Sequence, residues 1–280
     1  MKTIIIQGPG FNPEQASNIA SQLNGELSLS ASHATIHCPL APNAEKLAQL
    51  SQQYEMDINA LPEGFDPSQI KLLVTDMDST LISIECIDEI ADMMNIKPQV
   101  SEITESAMRG EIDFETSLRR RMALLKGLDE SALERVYNER LRLNPGAEAM
   151  IKGLHGLGIQ VALVSGGFTY FTEKLQQRLN LDDTLANQLI FENGKLTGEI
   201  HGGIVGAEAK ALFLLNKCKS LGIKPSQTIS MGDGANDLLM MKQAGLSIAY
   251  HAKPKVQQQA HTAINHCGLE AVLGLLGQDH

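Results

Sequence analysis

The sequence predicts an α/β protein: a Rossmann-like parallel sheet, interrupted by an inserted helical cap and preceded by a small N-terminal α/β domain. Three observations lead there. From residue 71 onward, short aliphatic and β-branched runs alternate with stretches of helical period, the pattern of a parallel sheet with helices on both faces. Residues 84–142 break that rhythm and carry helical periodicity alone. Upstream, Leu61-Pro62-Glu63-Gly64-Phe65-Asp66-Pro67 holds two prolines and a glycine, the composition of a linker.

Taken in order, residues 3–7 read as a β-branched strand and 13–23 as a helix with Ile19, Ala20 and Leu23 on one side. A second strand is expected at 34–38 and a helix at 43–54, with Leu47, Leu50 and Tyr54 facing inward. Residues 1–66 form the first domain, too short to be robust alone, so it should lean on its neighbour. The core, residues 67–85 and 143–280, has four buried-strand runs at 71–75, 160–164, 228–231 and 246–250. Helices are expected between them at 147–157, 170–179, 207–221 and 237–244. The cap, residues 86–142, should contain helices at 86–94, 100–109, 114–125 and 131–141. Asn193-Gly194 between two short strand-like runs signals a hairpin.

Composition narrows the function. The 280 residues are 43% hydrophobic and 20% charged, ordinary for a soluble globular chain. A net charge of −10 disfavours contact with a nucleic-acid backbone, while a metal and a few fixed cations can still reverse the sign inside one pocket. Cys38, Cys86, Cys218 and Cys267 form no C-x-x-C pair, so neither a thiolate zinc site nor a disulfide framework is expected. The N-terminal apolar run is too short for a signal peptide, and no run reaches membrane-spanning length. A cytoplasmic protein without membrane or nucleic-acid partners is expected. A homodimer is left open.

Three strand runs end in polar or glycine-rich turns: Asp76-Met77-Asp78-Ser79-Thr80, Ser165-Gly166-Gly167 and Gly232-Asp233-Gly234-Ala235-Asn236-Asp237. Open α/β sheets bind ligands at the carboxyl ends of their strands, so these turns should converge. A lone Ser-Gly-Gly is usually just a turn, and Lys210 by itself is usually a solvated surface residue. Their order along the chain carries the signal. It resembles the haloacid dehalogenase superfamily: D-x-D-x-T, then Ser or Thr, then Lys, then G-D-x-x-x-D, across residues 70–255. Glu85 followed by Ile87-Asp88-Glu89-Ile90, and Phe114-Glu115-Thr116-Ser117-Leu118-Arg119-Arg120-Arg121, resemble the branch of that family that hydrolyses phosphoserine.

The residue chemistry agrees with what the resemblance implies. A carboxylate at Asp76 can attack phosphorus, giving an aspartyl-phosphate and two easier displacements. Asp78 can protonate the leaving alkoxide and then accept a proton from water. Adjacent carboxylates facing a phosphate need a divalent cation, and oxygen ligands favour Mg²⁺. Asp76, Asp78 and Asp233 are the expected ligands, Asp78 through its backbone carbonyl as the resemblance implies. Ser165, the Gly166 amide and Lys210 would hold the phosphoryl oxygens, Asn236 would touch phosphate, and Asp237 would orient Lys210 and the metal shell.

Glu85, at the entry to the cap, and Arg121, on a cap helix, offer a carboxylate and a guanidinium to the ammonium and carboxylate of a phosphorylated amino acid. Phe114 and Met108 match the family's cap contacts and equally suit a cap core. Other readings stay open: phosphohomoserine, phosphothreonine or a sugar phosphate as substrate, a phospho-accepting signalling domain, or a non-catalytic amino-acid sensor. Residues 1–66 lie outside the resemblance and could form an incomplete amino-acid-binding module, although no motif marks one.

Overall fold

The computed structural model describes residues 2–280; the side chain of Met108 lies outside the described residues. The N-terminal unit comprises β1 (Lys2–Gln7), α1 (Pro13–Leu23), β2 (Glu26–Leu29), β3 (His33–Cys38), α2 (Ala44–Tyr54) and β4 (Asp57–Ala60). Its strands form an antiparallel sheet in the order β2-β3-β1-β4. Both helices begin at asparagines, Asn12 and Asn43, whose side chains accept the Glu14 and Lys46 N–H groups. Ile19, Ala20 and Leu23 are buried, as are Leu47 and Leu50, against Ile4, Ile6 and Ile36. Sequence periodicity missed β2 and β4. The first is exposed at three of four positions, and the second is the polar run Asp-Ile-Asn-Ala.

β5 (Leu72–Thr75) starts the second sheet. The inserted helices follow: α3 (Cys86–Met93), α4 (Lys97–Met108), α5 (Phe114–Leu124) and α6 (Ser131–Arg135). The last expected cap helix is broken, because Val136–Arg140 winds as a wider π turn. The two ends of the insert are pinned together by an Ile82–Leu143 bridge. The Asn144 side-chain amide adds donors to the carbonyls of Thr80 (2.7 Å) and Ile82 (3.2 Å).

Then come α7 (Ala147–Gly156), β6 (Gln160–Phe168), α8 (Thr169–Leu179), β7 (Asp183–Glu192), β8 (Lys195–His201), α9 (Ala207–Leu221), β9 (Thr228–Gly232), α10 (Leu238–Met241), β10 (Leu246–Tyr250), α11 (Pro254–Gln257), β11 (Thr262–Ile264) and α12 (Ala271–Leu275). The sheet order is β11-β10-β9-β5-β6-β7-β8, parallel except for the β7–β8 hairpin. Seven strands therefore stand where four core strands and a separate hairpin were expected. The helix expected at 237–244 shortens to α10, preceded by a 3₁₀ turn, Ala235–Asp237.

The cap rests on that hairpin. Gly127 N–H donates to the Leu196 carbonyl at 2.8 Å, and Leu196 N–H returns to Leu128 at 2.8 Å. The N-terminal unit docks at the opposite sheet edge. Asn59 pairs its side-chain amide with the backbone of Ala263, 2.8 Å in each direction. Beside it, buried Asp57 accepts N–H groups from Asn265, His266 and Cys267. All four cysteines are free and buried. No helix among the described residues is long and apolar enough to cross a membrane.

Candidate active site

β9, β5 and β6 are neighbours in the sheet, so the turns after β5 and β9 meet Ser165-Gly166-Gly167. That run lies inside β6, at a break in its register with β7, and not in the strand-end turn expected. Asp76 closes β5, with its N–H donating to the Met231 carbonyl at 2.9 Å and its Oδ1 accepting the Met77 N–H at 2.7 Å. The chain then turns sharply through Met77–Leu81. Asp78 is extended within that turn, and Ser79 takes a left-handed φ of 55°. This reversal carries Asp78 over the strand end. Its Oδ1 accepts the Cys86 N–H at 3.3 Å, at the start of α3. Glu85, in the capping position of α3, accepts the Ser79 hydroxyl at 2.6 Å.

On the next strand, Ser165 Oγ accepts the Gly167 N–H at 2.8 Å. Space at Gly167 is tight: a Cβ there would stand 2.9 Å from Met77 Cε, 3.0 Å from Ser165 Oγ and 3.1 Å from Asp78 Oδ2, so a side chain would make these groups shift. Asn187 in β7 holds the far side of this irregular stretch of β6. Its amide donates to the Gly166 carbonyl and accepts the Val205 N–H, both at 2.8 Å. Sequence reasoning missed this supporting residue. Its one signal was an amide inside a strand-like run.

Lys210, in the first turn of α9, is fully buried rather than solvated. Its Nζ lies 2.8 Å from Asp76 Oδ1 and 2.7 Å from Asp237 Oδ1. Asp237 Oδ2 accepts the Gly234 N–H at 3.1 Å. Burial would lower the Lys210 pKa, but Asp237 and then Asp76 outweigh it and hold the ammonium protonated. Burial and the nearby charge of Asp237 push Asp76 up against the pull of Lys210. Burial, then Glu85, pushes Asp78 up to about 7, while Asp233 rises to about 6 through burial and Asp237.

Carboxylate oxygens of Asp76, Asp233 and Asp237 lie within 4.8 Å of one another. An all-oxygen set of this kind suits a hard divalent cation. Both Asp237 oxygens already hold protein donors, whereas Asp76 Oδ2 has none among the described residues. Asp233 is partly exposed at the cavity. The residues present therefore fit a metal, with Asp76 and Asp233 better placed to ligate than Asp237.

A cavity of about 1180 Å³ lies over these groups and runs up to the cap. Asp76, Asp78, Glu85, Ser165, Gly166, Asp233, Asn236 and Arg121 all line it, while Lys210 lies beneath its floor. Among the three successive arginines, Arg119 pairs with Glu115 at 2.8 Å on the exposed face. Arg121 faces the cavity with Phe114, about two helical turns apart on α5. Burial lowers the Arg121 pKa against the opposing charges of Asp88, Glu85 and Asp78.

Comparison with known proteins adds a family to this geometry. A family model described as haloacid dehalogenase-like hydrolase matches residues 70–245. A phosphoserine phosphatase from Polaromonas is 50% identical over 224 residues, 78% of this chain and 95% of its own. Among solved structures, a HAD family hydrolase from Salmonella enterica serovar Typhi superposes with a TM-score of 0.90 at 30% identity, covering all of both chains. A probable phosphoserine phosphatase from Vibrio cholerae gives 0.84 at 37% identity, over 99% of this chain and 86% of its own.

Proposed function

The chain belongs to the haloacid dehalogenase-like hydrolases, and from that premise we propose that it hydrolyses O-phosphoserine to serine and phosphate, the last step of serine biosynthesis. The observation that carries this reading is the shared cavity. It holds two carboxylates after one strand, Asp76 and Asp78, together with Glu85 at the cap's entry and the inward Arg121 of the cap. The first pair suits phosphoryl transfer, and the second suits a zwitterionic amino acid.

Asp76 Oδ2 attacks phosphorus as the serine oxygen leaves, forming an aspartyl-phosphate. Asp78, whose pKa burial and then Glu85 raise to about 7 so that a substantial fraction is protonated near neutrality, delivers the proton to that oxygen. Its carboxylate then takes a proton from the water that cleaves the intermediate. The Ser165 hydroxyl, the Gly166 N–H and the Lys210 ammonium stabilise the charge shifting onto the phosphoryl oxygens; Asn236 adds a polar contact at the mouth. Asp237 fixes Lys210. Asp76, Asp233 and the Asp78 backbone carbonyl would hold Mg²⁺, which supplies neutralisation of the carboxylate and phosphate charges. Glu85 takes the substrate ammonium and Arg121 its carboxylate.

In this reading residues 67–85 and 143–280 are the catalytic core, residues 86–142 select the substrate, and residues 1–66 are accessory. Phosphate release from a panel of phosphorylated amino acids and sugars, with and without Mg²⁺, tests it. Phosphoserine should lead, and only with the metal. A sugar phosphate turned over faster would remove the substrate assignment.

A further inference from the structure

Two buried polar atoms of the cap have no hydrogen-bond partner among the described residues, Ser117 Oγ and Arg121 Nε. Both belong to α5, four positions apart, so they lie on one face a single turn from each other. Both residues line the cavity that holds Asp76 and Asp78. Ser117 is 1% exposed. A helical serine commonly bonds its hydroxyl back to the carbonyl four residues earlier. Here the Asp113 carbonyl takes the Ser117 N–H at 3.0 Å, and the hydroxyl makes no bond. Leaving a buried hydroxyl unpaired costs free energy that a ligand can recover.

The identity of that ligand atom follows from donor chemistry. A guanidinium Nε–H can only donate, and a hydroxyl beside it can donate as well. One group that accepts from both is a carboxylate, with two oxygens and several lone pairs. Phe114 and Leu118 of the same helix also line the cavity and offer apolar surface to a short carbon skeleton.

We propose that Ser117 is a specificity-determining residue, whose hydroxyl donates to one oxygen of the substrate carboxylate while Arg121 holds the other. This rests on the reading of the substrate as a phosphorylated amino acid. The hydroxyl fixes the rotation of the carboxylate about its bond to Cα, which one guanidinium contact through Nε would leave free.

The test is kcat/KM of Ser117→Ala on three substrates: phosphoserine, phosphoglycolate (carboxylate without ammonium) and phosphoethanolamine (ammonium without carboxylate). The loss on the two carboxylates should exceed that on phosphoethanolamine by roughly 3- to 10-fold. Competitive inhibition by serine should weaken by the same factor, a binding readout independent of the chemistry. Equal losses on all three, no loss on any, or a loss that follows the ammonium would each overturn the contact. Arg121→Ala on the same substrates keeps the two claims apart. Carboxylate selectivity at Arg121 with none at Ser117 removes the Ser117 contact alone, and none at either withdraws the amino-acid reading itself.

Discussion

Lys210 Nζ donates to Asp237 Oδ1 at 2.7 Å with both side chains wholly buried, and the same ammonium stands 2.8 Å from Asp76. Desolvating three charged groups is unfavourable, and only their mutual attraction offsets it. Removing the cation should therefore leave two carboxylates uncompensated. Lys210→Met is expected to lower stability by about 3–5 kcal/mol, with Mg²⁺ restoring part of it through Asp76 and Asp233. Thermal unfolding with and without the metal checks this. An unchanged midpoint would mean that Lys210 is not the counter-ion.

Asp76→Asn should abolish turnover, because an amide does not form the acyl-phosphate. The substitution keeps size and shape, so the folded state should persist by circular dichroism. Residual activity above about a tenth of the parent would exclude Asp76 as nucleophile.

Asp78→Asn should hurt according to leaving group. General acid help is typically worth ~100- to 10,000-fold, and an aryl phosphate with a good leaving group needs little of it. In single-turnover measurements, enzyme phosphorylation by p-nitrophenyl phosphate should survive better than that by phosphoserine. Equal losses in that step would contradict the proton-donor role.

Chelation should remove activity and Mg²⁺ should restore it. The metal should also raise the unfolding temperature by binding the folded state alone. That second effect should vanish in Asp233→Asn, which keeps the shape of the site and loses a ligand charge.

Asp57→Ala should lower stability by about 2–4 kcal/mol, since the N–H groups of Asn265, His266 and Cys267 lose their shared acceptor. Phosphate release should stay close to the parent rate, because these contacts lie at the sheet edge away from Asp76. A large fall in kcat without loss of fold would show that the N-terminal unit acts on the site.

The core strands and most helices were legible because burial wrote them as runs. Residues 228–231 and 246–250 are mostly apolar or β-branched, with one serine in each, and α9 spans the whole stretch expected of it. What escaped was held by contacts rather than by period. β4 is a strand because it pairs with β1, Ile58 opposite Ile6, while its Asp57 and Asn59 side chains hold the backbone around β11, and neither partner signals alone. Lys210 resembles a surface lysine in sequence, since its two carboxylates come from turns far away along the chain. The roles of Ser117 and Asn187 escaped for the same reason. Their worth lies in which backbone group or empty space they face.

β5 is flanked by strands that come much later in the chain: Leu72 lies opposite Gln160 on one side and Thr228 on the other. The strand that carries Asp76 is thus made early and completed late. During synthesis it must wait for β6 and then β9, while the insert between can form its helices early and gains its support from β8 only later. Such long-range parallel pairing is slow to close. Until β9 arrives, the apolar edge of Leu72, Leu73 and Val74 is open to other chains. The order of translation therefore sets when the molecule is most prone to aggregate: after the cap has emerged and before Thr228–Gly232 has.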